Sequence, residues 1–382
     1  MENRIPVYQP TLLGNERKYV NECLDSTWIS SKGKFIAEFE NAFANYINVE
    51  HATTVCNGTV AIHLALLALG IGSGDEVIVP TLTYIASANA IAYTGAKPVF
   101  VDSLADTWQM NPADVRAKIT PNTRAIMAVH LYGHPCDMQT LKEICKEYDL
   151  FLIEDCAEAI GSLYKNQHVG TFGDISTFSF FGNKTITTGE GGMVVTNNYY
   201  LYERATHFKG QGLDKDRQYW HDIIGYNYRM TNICAAIGLA QLEQIDSFLS
   251  RKIEIAALYK EAFKNSEISF HAEHADVNSS YWMCSILVPK PYQRDLLCAY
   301  LASQGIETRP LFYPVHTMPM YANGFAKHAV AEDLGLRGIN LPSYPSLSNE
   351  QIRFITDAIN IFIGESKSTT LSKHKVLDKI LN

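Results

Sequence analysis

Ser179-Phe180-Phe181-Gly182-Asn183-Lys184-Thr185-Ile186-Thr187-Thr188-Gly189-Glu190-Gly191-Gly192 places a lysine between an aromatic segment and a glycine-rich one. The flanking stretches 175–180 and 192–196 are short, rich in β-branched and aromatic residues, and read as buried strands. A lysine held between two core strands has two explanations. Desolvation lowers its pKa, and the neutral amine can then attack a carbonyl as a covalent catalyst. Alternatively the side chain snorkels from a strand end into water. The spacing does not choose between them, and the rest of the chain must.

Outward from this stretch, apolar runs at 76–80, 98–102, 125–130 and 151–156 alternate with helical patterns at 59–69, 85–93 and 137–148. The alternation predicts an α/β domain around a mainly parallel sheet. Before it come an extended arm with Pro6 and Pro10 and helices over 15–25 and 35–46. After it, residues 208–230 form a long loop rich in glycine, charge and aromatics, followed by a helix over 232–263 bent near Asp246. The pattern then changes to strand 281–287, helix 292–304, strand 308–313 and a closing helix 351–362, with a polar, poorly ordered tail after Gly364. We therefore expect a large domain over residues 1–250 and a smaller α+β domain over 251–382.

Composition removes several classes of function. The 382 residues are 47% hydrophobic and 19% charged, which fits an ordinary globular protein rather than a disordered one. A net charge of −8 argues against nucleic acid as the main partner. No apolar run reaches membrane-spanning length and no signal-like apolar segment follows Met1. The eight cysteines are scattered, as reduced thiols are, so a cytoplasmic location is expected.

Four further places can carry chemistry. Thr54-Val55-Cys56-Asn57-Gly58-Thr59 turns from a strand into a helix, where Gly58 would let a phosphate approach and Thr59 would add a hydroxyl to free N–H groups. The same residues also suit a plain helix cap. Ile153-Glu154-Asp155-Cys156-Ala157-Glu158 puts carboxylates at the C-terminal end of a strand, where open α/β sheets bind ligands. Asp155 there can pair with a protonated ring nitrogen, or cap the next helix. Ser179 can add a phosphate hydroxyl or be a strand serine. Tyr84 can stack on a flat ring or pack in the core. His130 and His134 have a metal-like spacing, but Gly133 and Pro135 break any helix between them and no metal site is expected. Tyr281 and Trp282 read as core or subunit packing. Together, a phosphate cradle, a ring stacker, a carboxylate and a Schiff-base lysine in one domain favour pyridoxal 5'-phosphate. A cofactor-binding sensor without turnover is the competing class, and Lys184 with Asp155 both intact speaks against it.

At these residues the sequence resembles the DegT/DnrJ/EryC1/StrS nucleotide-sugar aminotransferases, over about residues 5–362. The resemblance is carried by Asn57-Gly58-Thr59, Glu154 through Glu158, Gly173-Asp174 leading to Ser179, Lys184 with Gly189-Glu190-Gly191-Gly192, Gly225 through Met230, and Thr308-Arg309-Pro310 with Tyr313-Pro314-Val315-His316. It implies the type I aminotransferase fold, with Lys184 bonded to the cofactor, Asp155 on the pyridine nitrogen and Tyr84 on the ring. Gly58, Thr59 and Ser179 would hold the phosphate, and Asn227 would reach the phosphate of the neighbouring subunit of a homodimer with shared active sites. Glu158 would stand beside the cofactor's phenolic oxygen, where Gln or His is frequent in the family. Arg229, Tyr313 and His316 would contact substrate. Ser26 through Gly33 and Tyr219-Trp220-His221-Asp222 match a subgroup that acts on GDP-linked sugars. The implied reaction is ping-pong amino transfer from L-glutamate to C4 of GDP-4-keto-6-deoxy-D-mannose, with a UDP- or dTDP-4-keto-6-deoxyhexose as the alternative acceptor. A related branch that dehydrates such sugars carries His in place of the lysine, and Lys184 argues against it.

Overall fold

The computed structural model describes residues 4–322 and 326–380, with side chains as far as Gly364. Its centre is a seven-stranded sheet in the order His51–Val55, Gly192–Thr196, Ile175–Ser179, Phe151–Asp155, Thr123–Val129, Glu76–Pro80, Lys97–Val101. The last five of these strands pair in parallel, while Gly192–Thr196 runs antiparallel to both of its neighbours. This is the mainly parallel α/β sheet that the alternating pattern predicts.

Both faces of the sheet are covered, which is why its strands are apolar throughout rather than alternating. Val77, Val79, Ala125, Met127 and Ile153 pack with Leu64, Leu66 and Ile91 on one side. Ile78, Ile126, Ala128 and Leu152 face Leu141 and Ile144 of helix Met138–Tyr148 on the other. Helix Gly58–Leu69 starts where the Asn57 side chain accepts the Val60 N–H at 3.0 Å, and it ends at Gly70 with φ 77°. Its N-terminus therefore lies at the carboxyl edge of the sheet, beside the end of strand Phe151–Asp155.

The C-terminal part holds a three-stranded antiparallel sheet in the order Cys284–Leu287, Gly338–Leu341, Arg309–Pro310. Its core gathers Ile286, Leu297, Leu301, Ile339 and Leu341. Helix Ile245–Phe263 bridges the two parts. Ile245 and Phe248 belong to the core under the large sheet, and Ile255, Tyr259 and Phe263 to the C-terminal core.

Several elements differ from the sequence expectation, among them the strand expected over 308–313, which is only Arg309–Pro310. The helix expected over 232–263 is two helices, Asn232–Leu242 and Ile245–Phe263. The intervening Glu243 carboxylate accepts from Asn15 and Tyr19, each at 2.7 Å, which draws the chain towards the N-terminal segment. The strand expected from 281 begins only at Cys284, because Tyr281 is left-handed with φ 48° and turns the chain before the ladder starts. The closing helix runs Asn349–Ile380, past the expected end at 362, and no Gly or Pro follows Gly364 to stop it.

Burial keeps several histidines neutral. Desolvation pushes His271 down to about 3 and lowers His134 and His63. Unfolded imidazoles bind protons below about pH 6.5, where these folded ones refuse them. Their contribution is thus present above about pH 6.5 and is lost as pH falls below it, at up to about 1.4 kcal/mol per pH unit per group. His130, raised instead, opposes this trend. Replacing His271, stacked on Tyr281 at 5.5 Å, by Phe should flatten the fall of unfolding free energy between pH 6.5 and 4 in urea titrations. An unchanged slope would contradict the assignment.

Candidate active site

The carboxyl edge of the large sheet opens into a cleft of about 590 Å3. Gly58, Thr59, Tyr84, Asp155, Glu158, Ser179 and Lys184 all line it, although they come from four separate stretches of chain. Strand Phe151–Asp155 delivers Asp155 at its last position, and the turn after it delivers Glu158. Ser179 ends strand Ile175–Ser179, and Lys184 follows in the turn that leads to Gly192–Thr196.

Lys184 is 12% exposed at its side chain. Its Nζ lies 3.7 Å from Oε1 of Glu158 and 3.8 Å from the centre of the Trp282 indole. Burial lowers its pKa, while the charges of Glu158 and Asp155 pull the other way. Tyr8, from the N-terminal arm, donates its hydroxyl to the Lys184 backbone carbonyl and fixes where the side chain starts.

Asp155 is buried and raised by desolvation, against the Ser87 hydroxyl at 2.8 Å, the Ala157 N–H at 3.1 Å and the charge of Lys184. A carboxylate so enclosed gains most from a cationic partner, since an unpaired buried charge is costly. Glu158 is lifted to about 7, first by burial. Its Oε2 accepts the Tyr132 N–H at 2.8 Å, which leaves Oε1 facing the lysine.

Glu154, one residue before Asp155, is turned to the opposite face and does structural work. Its two oxygens accept the N–H groups of Gly170, Phe172 and Gly173 at 2.7–2.8 Å, and His130 Nε2 lies at 3.1 Å. His130, Glu154 and Cys156 are close enough together for a metal ion. The carboxylate's lone pairs are already committed to these donors, and His130 Nδ1 accepts the Cys136 N–H at 3.0 Å. The donor set is that of a hydrogen-bonded knot.

The end of the cleft at Gly58 is built by close approach. A Cβ on Gly58 would come within 2.6 Å of Ser179 Cβ and 2.8 Å of its Oγ. Helix Gly58–Leu69 points its free N–H groups into the same space. Tyr84 stands at the start of helix Ile85–Tyr93 with its ring 57% exposed, 5.6 Å from Phe312.

Four residues expected at the site do not line this cleft. Asn227 is exposed on the loop and accepts from Arg229 Nε at 3.1 Å. Tyr313 lies under the Arg294 guanidinium at 5.5 Å. His316 is buried, with Thr81 Oγ1 at 2.7 Å and Glu332 Oε1 at 3.2 Å on its two ring nitrogens. Conversely, Ser87, Trp282, Arg309 and Asn340 line the cleft. Ser87 carried a faint signal, a serine inside the apolar helix Ile85–Tyr93. Trp282 read as packing, and it does pack, but the left-handed Tyr281 also aims its indole at Lys184. That backbone turn has no local sequence mark.

The DegT/DnrJ/EryC1/StrS aminotransferase family model matches residues 10–360. The chain belongs to this family. It is similar to the GDP-perosamine synthases of Escherichia coli O157:H7, 68% identical over 361 residues covering 94% of this chain and 99% of that one, and of Vibrio cholerae, 51% identical with 94% and 99% covered. Among solved structures it is similar to the aminotransferase PseC of Helicobacter pylori, with a TM-score of 0.90, 27% identity and 95% and 100% covered. The sugar aminotransferase Spr1654 of Streptococcus pneumoniae, described as putative and in its PMP form, gives a TM-score of 0.91, 31% identity and 97% and 100% covered. The fold is that of the type I aminotransferases, and the chain is an aminotransferase.

Pyridoxal phosphate is the cofactor of this family, and the cleft fits it. An anion seat at Gly58, an exposed aromatic face at Tyr84, a buried carboxylate short of a cation at Asp155 and an amine at Lys184 match its phosphate, ring, ring nitrogen and aldehyde. Gly58→Ala should weaken cofactor binding about 10-fold or more, since the added methyl forces Gly58 and Ser179 apart. A fluorescence titration of pyridoxal phosphate into the apoenzyme measures this. Equal dissociation constants for variant and parent would show that the close approach is not part of the seat.

Proposed function

We propose that this aminotransferase converts GDP-4-keto-6-deoxy-D-mannose into GDP-perosamine, taking the amino group from L-glutamate. The observation that carries the reading is a buried, unanchored Lys184 amine opening into the cleft, in a chain 68% identical to a GDP-perosamine synthase over 99% of that enzyme's length. Pyridoxal phosphate, when bound, supplies an electron sink and carries the amino group between the two substrates. Lys184 Nζ, its pKa lowered by burial, is the base placed to take a proton at the reacting carbon and to return it. Asp155 holds a proton on the ring nitrogen, and Ser87 and the Ala157 N–H keep its oxygens oriented for that task. Gly58, Thr59 and Ser179 anchor the phosphate, and Tyr84 covers the ring. Trp282 closes one side of Lys184 against water.

The same reading includes a homodimer with shared sites. Asn227 and Arg229 lie off their own chain's cleft, on an exposed loop that also shows Tyr219 at 85% and Ile224 at 90% exposure. With Leu213, Trp220 and Ile223 also exposed there, the loop groups apolar side chains in a way that suits a protein contact. We place Asn227 at the partner's phosphate seat with Arg229 beside it. Arg309 and Asn340 are better placed than Tyr313 or His316 to meet the sugar nucleotide. We also divide the chain into a cofactor-binding part, 1–250, and a smaller part, 251–382, joined through helix Ile245–Phe263. None of the described helices is long and apolar enough to cross a membrane. All eight cysteines are free, which suits a reducing cytoplasm.

Two measurements test the proposal. Lys184→Ala should reduce amino transfer by roughly 10³-fold or more, and near-parental turnover would remove the lysine from the mechanism. Parallel assays with GDP-, UDP- and dTDP-4-keto-6-deoxy sugars should show preference for the guanine nucleotide. Faster turnover of either other nucleotide would overturn the substrate assignment.

A further inference from the structure

Glu158 is a carboxyl group with one oxygen tied and one left over. Oε2 accepts the Tyr132 N–H at 2.8 Å, and Oε1 faces Lys184 Nζ. The tie is itself held firmly. Tyr132 is left-handed, with φ 55°, a conformation that a bulky residue adopts only when its surroundings impose it. Its ring is stacked between Phe312, at 5.3 Å and 26°, and Trp282, at 6.2 Å and 10°. Its hydroxyl accepts the Phe312 N–H at 2.9 Å. Trp282 in turn presents its face to Lys184 Nζ at 3.8 Å. One aromatic stack thus positions both the carboxyl group and the amine.

We propose that Glu158 is the resting place of the Lys184 proton, exchanged directly between Nζ and Oε1 within the cleft. In the forward step one N–H bond of the ammonium breaks and an O–H bond forms on Oε1. This leaves a neutral amine and a neutral carboxylic acid, and the reverse step restores the ion pair. No other reactant is consumed. The present 3.7 Å separation is an ion-pair distance, and an advance of Nζ by about 1 Å brings the two atoms to hydrogen-bonding distance. The charged groups facing the pair are few. Asp155 lies beside both, with His130 behind it, and the Tyr132 peptide donates to the far oxygen. Burial lifts the Glu158 carboxyl to about 7 and presses the lysine down from its ordinary value. The two proton affinities therefore converge, as efficient transfer requires. The same enclosure gives Glu158 a task that an amide at this position cannot perform, because a glutamine side chain holds no exchangeable acid proton at this pH.

The inference rests on Lys184 being the cofactor-bonded lysine, and its test separates the two claims. The full-length enzyme converted to its pyridoxamine phosphate form leaves Lys184 without a covalent partner. Its amine can then be titrated by the rate of arylation with fluorodinitrobenzene at a series of pH values, read at the Lys184 peptide by mass spectrometry. Removing the Glu158 charge with Glu158→Gln should shift the midpoint of that rate down by about one pH unit or more. Glu158→Asp, which keeps the charge one methylene further away, should fall between parent and Gln variant and covers the case in which Glu158→Gln does not fold. A midpoint unchanged in the variants would overturn the proton-holding role. In the pyridoxal phosphate form Lys184 should be protected from arylation in parent and variants alike. Loss of that protection in the parent would instead overturn the reading of Lys184 itself.

Discussion

Everything at the active edge depends on holding an amine out of water without satisfying it. Burying a lysine is costly unless acceptors surround it. Two other buried lysines show the ordinary solution. Lys209 Nζ has the Thr54 carbonyl at 2.9 Å, the Thr53 hydroxyl and the Glu40 carboxylate at 3.3 Å. Lys252 donates to the Ser343 carbonyl at 2.9 Å and its hydroxyl at 3.1 Å. Among the described residues, Lys184 Nζ meets an aromatic face and one carboxylate oxygen at 3.7 Å. It is buried like a structural lysine but bonded like none, and that shortfall is what makes it available for chemistry.

The fold supports this state by geometry. Strands Phe151–Asp155 and Ile175–Ser179 are parallel neighbours, so their carboxyl ends place Asp155 and Ser179 along one edge. Helix Gly58–Leu69 brings an anion seat to the same edge without a single charged side chain. The negative groups near the lysine, Asp155 and Glu158, are fixed by neutral donors, the Ser87 hydroxyl and the Ala157 and Tyr132 N–H groups. Neutral donors orient these carboxyls without discharging them. The net effect is a site whose strongest unpaired demand is for a cation at one end and an anion at the other, which a protonated pyridine carrying a phosphate answers.

Much of this was legible in the sequence because it is local. Strands 76–80 and 192–196 and helix 85–93 follow from β-branched runs and apolar periodicity, and the structure places them at those residues. Gly58, Asp155, Ser179 and Lys184 were readable because each sits where a strand meets a turn, and parallel topology alone brings such ends together. What escaped depends on long-range contact. Trp282 reaches the cleft through one left-handed residue, Tyr281, and Ser87 matters only because Asp155 lies across from it. Asn227 was expected at a phosphate and stands off its own chain's cleft, in the arrangement that a site shared between two copies would need. Glu154 shows the opposite limit. Adjacent to Asp155 and also a carboxylate, it serves the Gly170–Gly173 turn instead, because side chains alternate across a strand.

On the reading proposed, the unanchored Lys184, rather than Lys209 or Lys252, is the covalent partner of the cofactor. Adding pyridoxal phosphate to the full-length protein, reducing with borohydride and mapping the modified peptide tests it most directly. The pyridoxyl group is expected on Lys184 in stoichiometric yield. Its appearance on Lys209 or Lys252, or its absence from all three, would rule Lys184 out as the cofactor-bonded residue.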